Sequence, residues 1–135
     1  MRNYKNVDCV IINDREIHQE MRDKNNKTEI LMKKLSLQQK IDNLIVTRGK
    51  EGALFYNKKY NKYNSSQAYA DAVVDKVGAG DAMLSIVAPL IKKNFDINFS
   101  MFMGALSAAQ SVESLSNNLT LNKMKLLKYV KYMLK

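Results

Sequence analysis

The sequence predicts an α/β fold in which a sheet is layered with helices, and three observations predict it. Two short apolar runs, "VDCVII" at residues 7–12 and "NLIVT" at 43–47, have the length and β-branched content of strands covered on both faces. Segments with apolar residues three and four apart lie among them, as in helices that pack on such a sheet. A glycine turn inside "VVDKVGAGDAMLS", residues 73–85, joins a β-branched run to an apolar helix, the kind of junction that can bind an anion. The 135 residues suit one domain, 1–135, with its own core, and no linker, repeat or low-complexity tract divides them.

The elements follow in order. "VDCVII" is interrupted once, by Asp8, and Asn13 and Asp14 break it. Asp14 is placed to cap a helix from about Arg15 to Lys24, with Ile17 and Met21 on one face. "NNKTE" is a turn, and Thr28 is placed to cap a second helix, in which Leu31 and Leu35 recur at i,i+4. "NLIVT" is the second strand and "GALFY", 52–56, the third; the segment from Gly49 to Gly52 is short enough to join them as a hairpin. "NKKYNKYN" is polar surface with room for a brief edge strand. A helix then starts near Ala79 or Asp81, carrying Met83, Ile86, Val87, Leu90 and Ile91, and Pro89 predicts a bend or an early stop. Two helices complete the chain. The first, about Phe99 to Glu113, is crowded with Gly104, Ala105, Ser107, Ala108 and Ala109, which admit another backbone or a flat ligand. The second, about Asn122 to Leu134, turns Met124, Leu127, Val130 and Leu134 to one side.

Composition narrows the classes of function. Apolar residues make up 46% and charged residues 26%, the balance of a folded chain rather than a disordered one. The formal net charge of +9 comes from scattered lysines accompanied by 14 asparagines, a general compositional bias as much as a patch. No finger, RRM or helix-turn-helix pattern goes with it, so no specific nucleic-acid partner is expected. Cys9 has no second cysteine to pair with and reads as a small buried hydrophobe. His18 has no neighbouring ligand partner and reads as a helix-surface residue, and the tyrosines read as packing. With no signal-peptide core and no apolar run near 20 residues, the expectation is a cytoplasmic chain with no membrane partner.

The glycine turn has its own physical chemistry. Successive amides of "VGAGD" point the same way only where the chain turns tightly without Cβ clashes, which Gly78 and Gly80 allow. A helix beginning there adds its first N–H groups and its positive dipole end. Asp81 is the anomaly, because a carboxylate beside a bound phosphate repels it; either it caps the helix or it performs chemistry. The turn is neither GxGxxG nor a Walker sequence, and neither occurs elsewhere in the chain.

Three motifs together resemble the C-terminal part of the PfkB family of ribokinase-like carbohydrate kinases. "DKVGAGDAMLS" is similar to that family's C-terminal signature, "NDRE" at 13–16 to its Asn-x-x-Glu motif after a strand, and "VTRGKEGALFY" at 46–56 to its strand, Thr-x-Gly turn and returning strand. A finer likeness is to sugar kinases of the heptose-kinase or cytidylyltransferase-associated kind. The resemblance implies a ribokinase-like fold of which this chain is the C-terminal, nucleotide-binding portion. It implies ATP-dependent phosphoryl transfer to a hydroxyl of a sugar or sugar phosphate. Asp81 would be the general base, and the backbone of Gly78, Ala79, Gly80 and Asp81 would stabilise charge on the transferring group. Asn13 and Glu16 would organise Mg²⁺ and its waters, Thr47 and Gly49 would line the phosphate path, and Gly104, Ser107 and Ala108 would flank the nucleoside. Arg48 either adds charge near the phosphates or is an exposed residue carried by the turn.

The sequence departs from the family pattern in places. Lys76 stands where threonine is common, Met83 where an aromatic is, and "QSVESLSNNLT" lacks the glycine or asparagine pattern of an adenine pocket. Length is the larger departure, since family members are roughly twice as long. The expectation is therefore that the N-terminal half is absent and that the exposed strand edge is covered in a homo-oligomer or by a complementary N-terminal kinase chain. An isolated chain would then lack turnover; the alternative is a non-catalytic α/β interaction module or degenerate kinase remnant.

Overall fold

The computed structural model describes residues 6–70, 77–113 and 122–133. The chain forms two compact units, residues 1–66 and 67–135.

The first unit is a four-stranded sheet with two helices. Strand β1 (Cys9–Asn13) leads into α1 (Asp14–Met21) and α2 (Thr28–Gln39), and the chain returns as β2 (Asn43–Thr47) parallel to β1. A single 3₁₀ turn at Gly49–Glu51 reverses it into β3 (Ala53–Asn57), and a second reversal gives β4 (Lys62–Ser66). Both later pairings are antiparallel, and the strand order is the chain order, β1-β2-β3-β4. The expected α/β architecture is present, and the optional edge strand in the polar segment is real. Strand alternation sends Ile12, Leu44, Val46, Leu54 and Tyr56 to one face, where they form a core with Ile17 of α1 and Leu31, Met32 and Leu35 of α2. Burial of these side chains, at about 1.5–3 kcal/mol each, is the main force holding the helices to the sheet. Tyr56 and Tyr63 pack ring to ring at 4.7 Å, and Tyr63 donates to the Glu29 carbonyl, which ties β4 to the start of α2. Burial, with smaller contributions from the Tyr56 and Glu29 charges, pushes the Tyr63 phenol above its usual pKa.

The second unit is helical where described: α3 (Ala79–Lys92), α4 (Ile97–Val112) and α5 (Lys123–Met133). Asp96 caps α4 by accepting from the Phe99 amide at 2.9 Å. Asn122 accepts the Met124 and Lys125 amides at the start of α5.

Several local expectations are corrected. Asn13, not Asp14, caps α1, and α1 ends at Met21 because Arg22 takes a left-handed conformation at φ 50°. Thr28 is the first residue of α2 rather than its cap, and its hydroxyl donates instead to Asp14 Oδ1 at 2.5 Å. Pro89 does not stop α3, which continues to Lys92. Proline's penalty of about 3 kcal/mol is outweighed where one helix face is packed along its length, as Met83 and Val87 are here. His18 is half-buried rather than a free surface residue, its Nδ1 lying 2.7 Å from the Asp23 carbonyl oxygen. "AVVD", Lys76 and most of "QSVESLSNNLT" lie outside the described residues.

Candidate functional site

The first unit gathers candidate site residues at the carboxyl ends of β1 and β2. Asn13 and Thr47 are the last residues of those strands and direct partners in the parallel register, the end of an open α/β sheet at which ligands bind. The chain leaves β1 through Asn13 straight into α1. The Asn13 side chain accepts from the Glu16 amide at 2.9 Å, and Glu16 accepts from the Asn13 amide at 2.8 Å, a reciprocal capping box. The Asn-x-x-Glu spacing therefore has a complete structural explanation in helix initiation. On β2, the Thr47 hydroxyl lies 3.5 Å from the Ile12 carbonyl oxygen, and Gly49 follows at φ 59°, a conformation costly for other residues. A cleft of about 380 Å³ opens between these two strand ends, and its lining includes two cations, Arg15 and Arg48, and two carboxylates, Asp14 and Glu51, beside Asn13, Thr28, Thr47 and Gly49. Of the residues singled out from sequence, Asn13, Thr47, Arg48 and Gly49 thus meet in one cleft, with Glu16 bound to Asn13 beside it. Arg15 and Thr28 were not singled out as site residues. Arg15 is placed by the same turn that positions Asn13, whereas the sequence marks Thr28 only as a helix cap, and it reaches the cleft by helix packing.

In the second unit Gly78 is the N-cap of α3, in the left-handed region at φ 85°. The first helical bond runs from the Ala82 amide to the Gly78 carbonyl at 2.8 Å, so the Ala79, Gly80 and Asp81 amides precede it in the first turn. No side chain caps this end among the described residues, and Asp81 is exposed. Asp81 is therefore not the cap. The two glycines differ in role from the expectation: Gly78 makes the turn, while Gly80 is ordinary helix, with nothing within 4 Å of where a Cβ would stand.

The small residues of α4 serve packing. A Cβ on Gly104 would meet Val87 Cγ2 at 2.2 Å and Met83 Cγ at 3.0 Å, so the glycine is what lets α3 approach. Ser107 is buried and donates to the Ala82 carbonyl of α3 at 2.9 Å and to its own Gly104 carbonyl at 2.7 Å. Ala108 is half-buried. Close approach of a neighbouring helix is thus one use these small residues serve.

No group of three or more His, Cys, Asp or Glu side chains that could hold a metal ion occurs among the described residues. Asn13 Oδ1 and one Glu16 oxygen are engaged in the capping box, which leaves Glu16 an exposed carboxylate with lone pairs directed to solvent. That set does not fit direct coordination by the protein. It fits outer-sphere contact with a hydrated cation, the mode Mg²⁺ favours because it gives up water reluctantly.

The match to known proteins decides the family. The pfkB family carbohydrate kinase pattern matches residues 1–124. The chain belongs to this family. No curated protein matches it. Among solved structures, this PfkB family chain is similar to ribokinase from Thermotoga maritima, at 23% identity with TM-score 0.77 over 92% of the chain and 42% of that protein. It is similar to phosphofructokinase-2 from Escherichia coli, at 16% identity with TM-score 0.79 over 97% of the chain and 42% of that protein. It is also similar to the nucleoside kinase of Methanocaldococcus jannaschii, at 23% identity with TM-score 0.70 over 93% of the chain and 40% of that protein. At these identities the likeness establishes the ribokinase-like fold, and none of the three singles out the heptose-kinase kind. The chain spans about 42% of the length of the first structures it matches. No helix among the described residues is long and apolar enough to cross a membrane.

Proposed function

We propose that the chain is the nucleotide- and phosphate-binding portion of a PfkB-type sugar kinase, acting as one domain over residues 1–135. In the reaction, a sugar or sugar-phosphate hydroxyl attacks the terminal phosphorus of ATP, its proton passes to Asp81, and the bond from that phosphorus to the ADP oxygen breaks. The observation that carries this reading is the start of α3: family membership, a left-handed Gly78 and three first-turn amides, followed by an exposed carboxylate that caps nothing. Amides at Ala79, Gly80 and Asp81 suit the growing negative charge on the transferring group, because they are oriented before it arrives. Asp81 suits a general base because it is not consumed by capping. Thr47 and Gly49 line the phosphate path, and Ala108, with Gly104 and Ser107 behind it, flanks the nucleoside. Mg²⁺ bound to the nucleotide phosphates would supply positive charge that offsets theirs. Glu16 would meet its waters, while Asn13 holds Glu16 in place.

Activity is proposed to require a complementary chain or a second copy, since the chain spans about 42% of the ribokinase and phosphofructokinase-2 structures it matches and β1 is an edge strand among the described residues. The test is phosphorylation of a sugar panel by the chain alone, by the chain with a complementary N-terminal kinase portion, and by that pair carrying Asp81→Asn. The pair turns over, the chain alone does not, and Asp81→Asn costs about 100-fold or more with nucleotide binding retained. Unchanged turnover in the mutant pair would remove Asp81 from the role.

A further inference from the structure

Arg48 occupies an unusual position in the cleft at the ends of β1 and β2. It follows Thr47 directly and its side chain is only 25% exposed. Among the described residues its guanidinium has two contacts, both to Glu51 and both long: 3.4 Å to the carbonyl oxygen and 3.5 Å to Oε2. Its Nε is buried and has no hydrogen-bond partner among the described residues. A buried donor without an acceptor is costly, and a guanidinium presents its Nε and terminal N–H groups as a fork that matches two oxygens of one anion. Around it the cleft offers the Arg15 side chain and the Cβ-free backbone of Gly49. Two carboxylates also line the cleft: Asp14 already accepts the Thr28 hydroxyl, whereas Glu51 is 76% exposed and its side chain contacts Arg48 alone among the described residues.

We propose that Arg48 is a polyphosphate-binding residue for which Glu51 is the internal competitor: an oxyanion in the cleft takes the Arg48 fork, Nε included, and Glu51 turns out to solvent. This rests on the nucleotide-binding reading above and adds to it a cation that grips the polyphosphate and a carboxylate that competes for it. The arrangement explains why Arg48 is poorly bonded where it stands. A phosphate oxygen supplies the missing acceptor, and the exposed Glu51 loses little on release because water replaces the contact.

Inorganic tripolyphosphate is the probe, since it carries neither base nor sugar. It is titrated into the full chain by calorimetry, with the Arg48 Nε–H resonance followed by NMR. The wild-type chain binds it and that resonance shifts. Arg48→Ala weakens binding about tenfold, the scale of a charge-assisted hydrogen-bonded pair, and Arg48→Lys restores part of the loss because it keeps charge without the fork. Glu51→Gln tightens binding about threefold, the scale of an exposed ion pair removed from competition. Lys50→Ala, on the exposed side of the same turn, stays within about twofold of wild type. The proposal is overturned if tripolyphosphate does not bind, if Arg48→Ala binds as wild type does, if Glu51→Gln fails to tighten binding, or if the shifts collect at Arg22 and Lys24 in the groove outside α1. Failure of the kinase reading looks different: ATP leaves the Gly78–Asp81 amides unmoved while the cleft still answers to tripolyphosphate.

Discussion

Gly104→Ala is the sharpest test of the second unit, because two effects of known sign oppose each other. In an isolated helix the substitution stabilises by about 1 kcal/mol, since alanine loses less backbone freedom than glycine. Here the added Cβ stands 2.2 Å from Val87 Cγ2, where carbon atoms settle at about 3.5–4.0 Å. Val87 cannot swing away cheaply: it is fully buried, and a valine in a helix has one strongly preferred rotamer. Met83 Cγ at 3.0 Å closes the sideways escape. Relief therefore requires α3 to draw back from α4, and such overpacking costs about 1–3 kcal/mol. With the upper end applying to a contact this short, the net effect is destabilisation by about 1–2 kcal/mol, a fall in Tm of several degrees. Urea and thermal denaturation followed by circular dichroism measure it. Combining the substitution with Val87→Ala removes the clashing methyl, so the double mutant should be more stable than the sum of the singles by about 1 kcal/mol. A Gly104→Ala protein that melts at or above wild type, or a cycle with no coupling, would refute the packing argument.

Other predictions concern separate elements. Asn13→Ala removes the cap of α1 and half of its capping box, and should lower unfolding free energy by about 1 kcal/mol in urea titration; no loss would mean the box is not formed in solution. Gly80→Ala should raise stability by about 0.5–1 kcal/mol, because the position is helical and open, yet weaken phosphate binding at the turn by crowding the approach. Both are read on one sample by melting and by phosphate titration, and lowered stability would contradict the assigned backbone. Burial, with a smaller push from the Asp8 charge, raises the Cys9 thiol to about 11. Iodoacetamide at pH 8 should therefore modify the folded chain about 100-fold more slowly than the unfolded one. The sign for stability follows: between about pH 9 and 11 the unfolded thiol ionises while the folded one holds its proton, so stability present below this window falls as pH rises through it. A fall in unfolding midpoint over this window that is smaller in Cys9→Ala than in wild type is the expected result, since the raised Tyr63 phenol still contributes in the mutant.

The family resemblance read from "DKVGAGDAMLS", "NDRE" and "VTRGKEGALFY" is the family the chain belongs to. Two of these stretches are legible because they hold turns that tolerate few residues: Gly49 and Gly78 both sit at positive φ. The strand β2 and the start of α3 at Ala79 were equally readable, from an unbroken apolar run and from glycine punctuation. What misled was local polarity. Asp14 and Thr28 look like caps in sequence, but a cap is defined by which backbone amide the side chain faces, and here Asn13 fills that place while Thr28 reaches across to Asp14.

By itself, then, the sequence determined the order of elements, the sheet-and-helix layering and the two turns, because these depend on apolar period and on backbone freedom, which neighbouring residues set. Only the tertiary structure decided what the polar residues near the turns do. Asn13 and Thr47 are 34 positions apart in the chain and become partners through the parallel register, which closes a cleft that also holds Arg48 and Arg15. Gly104 and Ser107 sit in a run of small residues whose packing partner no local pattern names, and the structure shows α3 against them. Side-chain roles of this kind are set by contacts distant in sequence, and a local pattern carries no information about which distant surface arrives.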